Sequence, residues 1–270
     1  MRIVDGVRSC QVTRIEDGRF TTVSDAVAAE APLEVRLNGE PFSVIMRTPG
    51  ADRDLVAGFL FTEGAVSDRS HIAAMDPVAD GAFDVTLSAA HTVILPDLLG
   101  GRRQVTMNSS CGMCGRRSLD ALHLETLPGA TAVEWTISPE AILAMPAALR
   151  LAQDAFSATG GLHAAGLFSR DGHLDASAED VGRHNAVDKL IGRMWLEERL
   201  PLRDHVLFVS GRLSFEIVQK ALLAGIPIVA AVSAPSSMAV DFGDDNGLTL
   251  VGFVRQPRFN VYSHPERIST

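Results

Sequence analysis

The fold class follows from residues 205–232, which read HVLFVSGRLSFEIVQKALLAGIPIVAAV. Two short apolar runs, 205–209 and 227–232, flank a segment at 214–224 that we interpret as a helix. Short continuous apolar runs are typical of strands buried on both faces, and a helix between two of them forms the right-handed crossover that joins parallel strands. This stretch therefore predicts an α/β fold.

The same alternation continues on both sides of this stretch. Asp171-Gly172 is a turn dipeptide that separates two β-type runs, which indicates a hairpin. The other predicted elements of this part of the chain are strands at 164–169, 173–176 and 248–254 and helices at 185–197 and 236–242. We expect a largely parallel sheet with helices on both faces.

The first part of the chain has the pattern of a smaller β-rich unit. Predicted strands at 33–37 and 42–46 are joined through Asn38-Gly39, a dipeptide typical of hairpin turns, and a further strand is expected at 83–87. A helix is expected between them at 53–63, because its apolar residues recur at helical spacing.

Composition narrows the class of protein. The chain has 270 residues, with 24 Lys plus Arg against 33 Asp plus Glu, so the formal net charge is −9. This balance argues against a general nucleic-acid or membrane-surface binder. Three cysteines cannot form a disulfide framework and favour a reducing compartment. Because no targeting segment or membrane span is visible, we expect a soluble cytoplasmic protein.

The most informative stretch is residues 107–117, which read MNSSCGMCGRR. Cys111 and Cys114 lie three positions apart, between glycines and just before a predicted helix at 116–124. Four nearby arginines add positive potential: Arg102, Arg103, Arg116 and Arg117. The start of a helix and neighbouring cations both favour the thiolate, the reactive form of cysteine.

Several interpretations of this pair compete. The plainest interpretation is that the two cysteines have no shared function. A structural zinc site needs four ligands, and the third cysteine, Cys10, stands alone. A deaminase-type zinc site needs His-x-Glu before the pair, whereas His123 and Glu125 come after it. A thioredoxin-like redox pair fits poorly with the β-rich stretch that precedes it. Nucleophilic or sulfur-transfer chemistry on a thiolate remains.

Polar loops in the second half suggest a site for an anionic ligand. The segments 210–212, Ser-Gly-Arg, and 233–236, Ser-Ala-Pro-Ser, each follow a predicted buried strand, where parallel sheets bind ligands. In the segment 179–189 a glycine, a cation, an imidazole and an amide meet at a predicted helix N-terminus, a ready site for anions. The glycine pair in 159–163 would allow close approach of a ligand.

Arginine dominates the cations of this chain. Lys189 and Lys220 are the only lysines, so the other 22 of the 24 are arginine. The plainest interpretation of this bias is the base composition of the genome. The guanidinium fork, however, suits bidentate phosphate binding, and Arg255 and Arg258 lie three apart after a predicted strand. A phosphate-bearing ligand is therefore expected.

Taken together, these motifs resemble the FdhD family of accessory sulfurtransferases for formate dehydrogenase. The resemblance rests on the segments 47–50, 58–64, 108–115, 159–163, 179–189, 210–212 and 253–258, which occur in family order. It spans nearly the whole chain. The cysteine loop and the 179–189 segment are its most specific parts.

The resemblance implies a cytoplasmic, homodimeric sulfur carrier. Such a protein accepts persulfide sulfur from a cysteine desulfurase. It passes that sulfur to the molybdenum of a bis(molybdopterin guanine dinucleotide) cofactor, its bound substrate, before the cofactor enters formate dehydrogenase. The resemblance also implies a cytidine-deaminase-like α/β core, with a mixed or parallel sheet and helices on both faces, and a smaller β-rich accessory domain. The family's persulfide cysteine maps to Cys111, and its cofactor-binding stretch maps to residues 253–258.

From these observations we predict a catalytic pair, Cys111 and Cys114, with no metal site. The predicted cofactor-binding residues are Phe253, Val254, Arg255, Gln256, Pro257, Arg258, Ser210, Gly211, Arg212, Ser233, His163, Arg183 and His184. His163 and His184 are also candidates for proton handling. A cofactor-binding chaperone without obligatory cysteines and a zinc-dependent nucleobase deaminase are the alternative functions.

We also predict two parts of the chain. A β-rich part at 1–130 ends in the cysteine loop and its helix, and an α/β cofactor-binding core occupies 131–270. The alternative is that the N-terminal segments join the sheet of the core.

Overall fold

The computed structural model describes residues 6–79, 81–94 and 133–269. Its strands are β1 (Val7–Glu16), β2 (Arg19–Ala28), β3 (Ala31–Leu37), β4 (Glu40–Arg47), β5 (Ile72–Ala79), β6 (Ala82–Leu87), β7 (His163–Ser169), β8 (Leu174–Asp180), β9 (His205–Val209), β10 (Ile228–Ala231), β11 (Thr249–Arg255) and β12 (Arg258–Ser263). Its α-helices are α1 (Asp52–Thr62), α2 (Pro139–Leu151), α3 (Asp154–Thr159), α4 (Arg183–Leu196), α5 (Phe215–Leu223) and α6 (Ser237–Asp245). Cys111, Cys114 and the helix predicted at 116–124 lie outside the described residues.

The main sheet has six strands in the order β12-β11-β10-β9-β7-β8. Its centre is parallel, since β10 pairs in parallel with both β9 and β11. The flanking pairs, β11–β12, β7–β9 and β7–β8, are antiparallel. The prediction of an α/β core with a mixed or parallel sheet is confirmed as a mixed sheet, whereas the stronger expectation of a largely parallel sheet is wrong. The β11–β12 and β7–β8 hairpins add antiparallel strands at its two flanks.

Both faces of this sheet are buried, which is why its central strands are continuously apolar. Alternate residues of β9 point to opposite faces. Phe208 packs with Ile142 and Met145 of α2 on one face. Leu207 packs with residues of α4 and α5 on the other face. Helices therefore cover the two faces, as expected.

A second sheet of four strands, in the order β4-β3-β6-β5, packs on α1. Helix α1 crosses α4 at two glycines that face each other's backbone. A Cβ atom on Gly58 would overlap the carbonyl of Asp188, and one on Gly192 would overlap the carbonyl of Asp54. The crossing connects the N-terminal sheet to the helices of the main sheet. The described strands of the predicted parts 1–130 and 131–270 lie in separate sheets. A domain boundary near residue 130 stays a prediction.

Strands β1 and β2 form a separate two-stranded ribbon that the sequence analysis missed. Each strand has ten residues, and the strands are joined by a turn in which Asp17 and Gly18 both have positive φ. At the tip, Ile15 pairs with Phe20, and these side chains are 62% and 71% exposed. Within the described residues, no helix has the length and apolar character needed to cross a membrane.

Candidate functional site

The predicted loops meet at one edge of the main sheet. Strands β9, β10 and β11 are parallel, so their carboxyl ends and the loops that follow lie at the same edge. Strand β7 runs in the opposite direction and therefore begins there, with His163. Strand β8 ends there and leads into the N-terminus of α4 at Arg183. This is the edge at which open α/β sheets bind ligands.

Backbone hydrogen bonds fix these loops to one another. The N–H of Leu213 donates to the Ala234 carbonyl at 3.1 Å, and the N–H of Ser236 donates to the Leu213 carbonyl at 2.9 Å. The N–H of Phe253 donates to the carbonyl of Ser233 at 3.1 Å. The loops at 210–214, 233–236 and 252–258 thus form one continuous rim.

Ser210 holds the rim to strand β7. Its hydroxyl oxygen accepts a hydrogen bond from the Ala164 N–H at 2.9 Å, and its own N–H donates to the Ala164 carbonyl at 3.0 Å. The predicted site residue Ser210 is therefore engaged in fixing the loop that carries Gly211 and Arg212.

The inner end of the rim brings His163, Arg183 and Gly211 together. A Cβ atom on Gly211 would lie 3.5 Å from His163 Nδ1 and 3.8 Å from Arg183 Cδ. The Nε of Arg183 is buried and has no hydrogen-bond partner in the described part of the chain. Buried polar atoms are nearly always paired, so an unpaired guanidinium N–H at a sheet edge points to a missing acceptor.

The charges around His163 favour its neutral form. Burial lowers the pKa of His163, and the positive charge of Arg183 lowers it further; Asp180 opposes this shift, and Arg212 adds a smaller lowering effect. The inner end of the rim therefore presents two permanent cations and a neutral imidazole at neutral pH.

His184 is a buried, neutral link between two helices. Burial, followed by the charges of Lys220, Arg183 and His163, lowers the pKa of His184 to about 3. Its Nε2 lies 3.1 Å from the hydroxyl of Ser214, the residue that precedes α5, and 3.8 Å from a Glu216 carboxylate oxygen. A ring that stays neutral at physiological pH is a poor proton donor, so His184 fits a positioning role better than the proton-handling role that we considered.

Most of the 179–189 segment is structural. Asp180 forms a 2.8 Å ion pair with Lys189 and also accepts from the side-chain amide of Asn185 at 2.8 Å. The Asp180 oxygen that pairs with Lys189, Oδ2, also accepts from the N–H of Thr48 at 3.0 Å, and Lys189 donates to the Thr48 carbonyl at 2.9 Å. These contacts attach the loop after β4 to the start of α4. The sequence predicted a cluster of polar residues here, but it did not predict that the carboxylates of this cluster form ion pairs and hydrogen bonds with other residues of the protein.

A second buried network joins three helices. Lys220 of α5 lies 2.7 Å from one carboxylate oxygen of Asp188 in α4, and it donates to the Thr62 hydroxyl of α1 at 2.7 Å. Thr62 in turn donates to Asp188 at 2.8 Å. Burial raises the pKa of Asp188, although Lys220 and Thr62 oppose that effect. The network fixes α4, which begins at Arg183, and α5, which begins directly after Ser214.

The outer end of the rim is the β11–β12 hairpin. A surface depression of about 300 Å³ is lined by Phe253, Arg255, Arg258 and Asn260. The Arg255 guanidinium carbon lies 6.0 Å from the centre of the Phe253 ring. Asn260 was not predicted; its position two residues after Arg258 in a strand, on the same face, is the signal that could have found it.

The other hairpin residues have different roles. Val254 is 1% exposed and packs in the core, so its side chain is turned away from any ligand. Gln256 and Pro257 are exposed at the turn, and the Gln256 side-chain amide donates to the Leu143 carbonyl at 3.5 Å. Across residues 6–79, 81–94 and 133–269, no three His, Cys, Asp or Glu side chains are grouped to hold a metal ion.

Comparison with known proteins identifies the family of the chain. The model of the FdhD/NarQ family matches residues 28–269. A sulfur carrier protein FdhD from Streptomyces avermitilis is 47% identical over 274 residues, which covers 96% of this chain and 94% of that protein. The corresponding protein from Sulfolobus acidocaldarius is 43% identical over 262 residues, covering 97% and 98%.

A solved structure shows the same fold over nearly the whole chain. It is a crystal structure from Desulfotalea psychrophila, described as a formate dehydrogenase accessory protein. The TM-score is 0.75 at 26% identity, and the match covers 97% of this chain and 99% of that one.

Proposed function

The chain belongs to the FdhD/NarQ family, whose relatives in Streptomyces and Sulfolobus are sulfur carrier proteins, and from this premise we propose a specific sulfur-transfer reaction. In this proposal the protein is a cytoplasmic, homodimeric sulfurtransferase that accepts sulfur from a cysteine desulfurase. It delivers the sulfur to the molybdenum of a bis(molybdopterin guanine dinucleotide) cofactor destined for formate dehydrogenase. Family membership is the observation that carries the proposal.

The first step is a persulfide exchange at Cys111. The Cys111 thiolate attacks the terminal sulfur of the desulfurase persulfide. A new S–S bond forms on Cys111 as the S–S bond of the desulfurase breaks, and the desulfurase cysteine leaves as a thiolate. The step is balanced without an external oxidant or reductant, because a persulfide replaces a persulfide.

The second step must supply two electrons, since the outer persulfide sulfur is more oxidised than a sulfide ligand of molybdenum. The proposal assigns this role to Cys114. Its thiolate attacks the inner sulfur on Cys111, the bond to the outer sulfur breaks, and hydrosulfide leaves with the electron pair. A Cys111–Cys114 disulfide remains, which a thiol reductant returns to two thiols.

Substrate binding is assigned to the rim of the main sheet. Arg255 and Arg258 at the hairpin, with the loops around Gly211 and Ser233, would hold the phosphate and guanine parts of the substrate. The support is electrostatic: an acidic protein concentrates exposed or unpaired arginines at the edge where its fold class binds ligands. The cytidine-deaminase-like core and the accessory domain belong to the same proposal.

The experiment is sulfur loading followed by mass spectrometry. The purified protein is incubated with a cysteine desulfurase and cysteine, and the peptide containing Cys111 is expected to gain the mass of one sulfur atom. Cys111→Ser should abolish the gain, and Cys10→Ser should leave it unchanged, because Cys10 lies on the β1–β2 ribbon.

The alternatives give different results. A cofactor-binding chaperone would still support full formate dehydrogenase maturation as the Cys111→Ser variant. A zinc-dependent deaminase would carry stoichiometric zinc after purification, and that finding would contradict sulfur transfer.

A further inference from the structure

We propose that the side of the protein opposite the rim binds a short basic segment of a partner protein. An apolar side chain of that segment would enter a surface cavity, and its Lys or Arg residues would contact the acidic border of the cavity. The cavity has a volume of about 390 Å³ and lies where three helices end. The inference goes beyond the proposed function and does not depend on sulfur transfer.

Three helices supply the apolar wall of the cavity from their last turns. Phe61 lies in the last turn of α1, Trp195 lies in that of α4, and Leu223 is the last residue of α5. The ring centres of Phe61 and Trp195 are 6.0 Å apart. Phe61 and Leu223 are only partly buried, so part of this apolar wall is open to solvent. A partner side chain that covers the wall would remove apolar area from water, which favours association.

The loop between α4 and β9 closes the cavity and is fixed in place. The N–H of Leu202 donates to the Ala224 carbonyl at 2.8 Å. Leu200 packs against the apolar clusters of both sheets. Pro201 lies so close to Gly225 that a Cβ atom on this glycine would come within 2.6 Å of the Pro201 Cβ. Because the cavity is already formed, a partner would bind without the cost of ordering this loop.

The border of the cavity is acidic. In the described lining, the carboxylates of Asp68 and Glu198 stand against one cation, Arg69, which pairs with Glu198 at 2.6 Å. Hydrogen bonds from the hydroxyl and the N–H of Ser70 lower the pKa of Asp68, so this exposed carboxylate stays ionised. The C-terminal ends of the three helices add partial negative charge. The charges at the border therefore favour a cationic occupant.

The lining suits a protein segment better than a free metabolite. Sites for small molecules fix their ligands with a few precisely placed polar groups. Among the described residues, no buried side-chain nitrogen or oxygen that lines the cavity lacks a hydrogen-bond partner. An apolar centre with a polar, exposed border is the composition of a protein–protein interface. The matching occupant is an apolar side chain with Lys or Arg next to it in sequence.

The cavity lies at the edge of the main sheet where its parallel strands begin. Pro201 precedes β9, and Leu223 precedes β10. The rim lies where the same strands end, and the five residues of β9 separate the two edges by roughly 15 Å. A partner protein bound at the cavity would therefore leave the rim open.

Fluorescence titration with synthetic peptides tests this inference. Trp135→Phe leaves Trp195 as the only tryptophan, so the emission reports on the cavity. The probe is acetyl-Lys-Phe-Lys-amide, which should give a saturable change in emission. Acetyl-Glu-Phe-Glu-amide and acetyl-Lys-Ala-Lys-amide should each bind at least about 10-fold more weakly, because the first reverses the charges and the second removes the apolar side chain.

Two variants of the Arg69–Glu198 pair should change the affinity for acetyl-Lys-Phe-Lys-amide in opposite directions. Glu198→Gln removes an anion and should weaken binding about 2- to 5-fold, whereas Arg69→Gln frees Glu198 and should tighten binding by a similar factor. Both side chains are largely exposed, so both variants should fold. The matched control is Glu16→Gln, which removes an exposed carboxylate on the β1–β2 ribbon and should leave the affinity unchanged.

Binding of either comparison peptide as tightly as acetyl-Lys-Phe-Lys-amide would overturn the inference. So would the absence of saturable binding of that probe by both fluorescence and calorimetry, or a shift in the same direction for Glu198→Gln and Arg69→Gln. Trp195 emission that changes with protein concentration alone would mean that a second copy of the chain occupies the cavity instead. Sulfur loading of Cys111 is measured separately, so failure of this inference and failure of the proposed function are distinguishable.

Discussion

Replacing Lys220 by methionine should destabilise the protein by about 3–5 kcal/mol, because it leaves the Asp188 carboxylate buried without its cation. Lys220 and Asp188 are 4% and 2% exposed, and their closest atoms lie 2.7 Å apart. Burial, not distance, sets this magnitude. Arg69 and Glu198 approach to 2.6 Å, but their side chains are 45% and 75% exposed. Arg69→Met should therefore change stability by less than about 1 kcal/mol.

Urea unfolding monitored by circular dichroism measures both changes. The effect of Lys220→Met should also depend on pH. Burial already raises the pKa of Asp188, and removal of Lys220 would raise it further. The folded state then binds a proton more readily than the unfolded state, so the loss of stability should become smaller as the pH is lowered.

A double variant provides the internal control. Asp188→Asn in the Lys220→Met background removes the unpaired charge, and it should recover part of the lost stability. A loss below about 1 kcal/mol for Lys220→Met, or no recovery in the double variant, would refute the argument that this network is held together by a desolvated charge pair.

Three further predictions concern other parts of the molecule. The unfolded chain binds a proton at His184 below about pH 6.5, whereas the folded ring stays neutral down to about pH 3. As the pH falls through that window, the free energy of unfolding of the wild type should decrease by up to about 1.4 kcal/mol per pH unit. His184→Asn should show a shallower pH dependence in urea unfolding. Gly192→Ala should cost about 1–3 kcal/mol by the same measurement, since its Cβ would overlap the Asp54 carbonyl; an unchanged midpoint would contradict the close helix crossing. Ile15→Thr and Phe20→Thr at the ribbon tip should each change the free energy of unfolding by less than about 0.5 kcal/mol, because both side chains are mostly exposed, and a larger loss in thermal melts would mean that the tip is covered.

The central elements of the main sheet were predictable because local pattern and tertiary burial agree there. The strand predicted at 205–209 has those bounds in the structure, and the helix predicted at 214–224 spans Phe215–Leu223. The ribbon at residues 7–28 was missed because its strands are largely polar and exposed. Its turn dipeptide, Asp17-Gly18, was a usable signal. Strand β12 was also missed, and with it one antiparallel flank of the sheet.

The sequence predicted where the loops of the candidate site lie better than it predicted the role of each residue in them. The loops at 210–212, 233–236 and 253–258 meet on one rim, as expected for loops that follow parallel strands. The roles within 179–189 were not predictable, because its charged residues bind partners distant in sequence. Lys189 contacts Thr48, which is 141 residues away, and Asp188 contacts Thr62, which is 126 residues away. No local pattern reports such pairs.

The most direct test of sulfur transfer follows a labelled sulfur atom. The protein is loaded from isotopically labelled cysteine by a desulfurase, separated from the desulfurase, and mixed with the molybdenum cofactor and apo formate dehydrogenase. We predict that the label leaves Cys111 and appears in the cofactor of an active formate dehydrogenase, and that the Cys111→Ser protein yields neither label nor activity. An active enzyme whose cofactor carries no label, obtained from the loaded wild-type protein, would contradict the account.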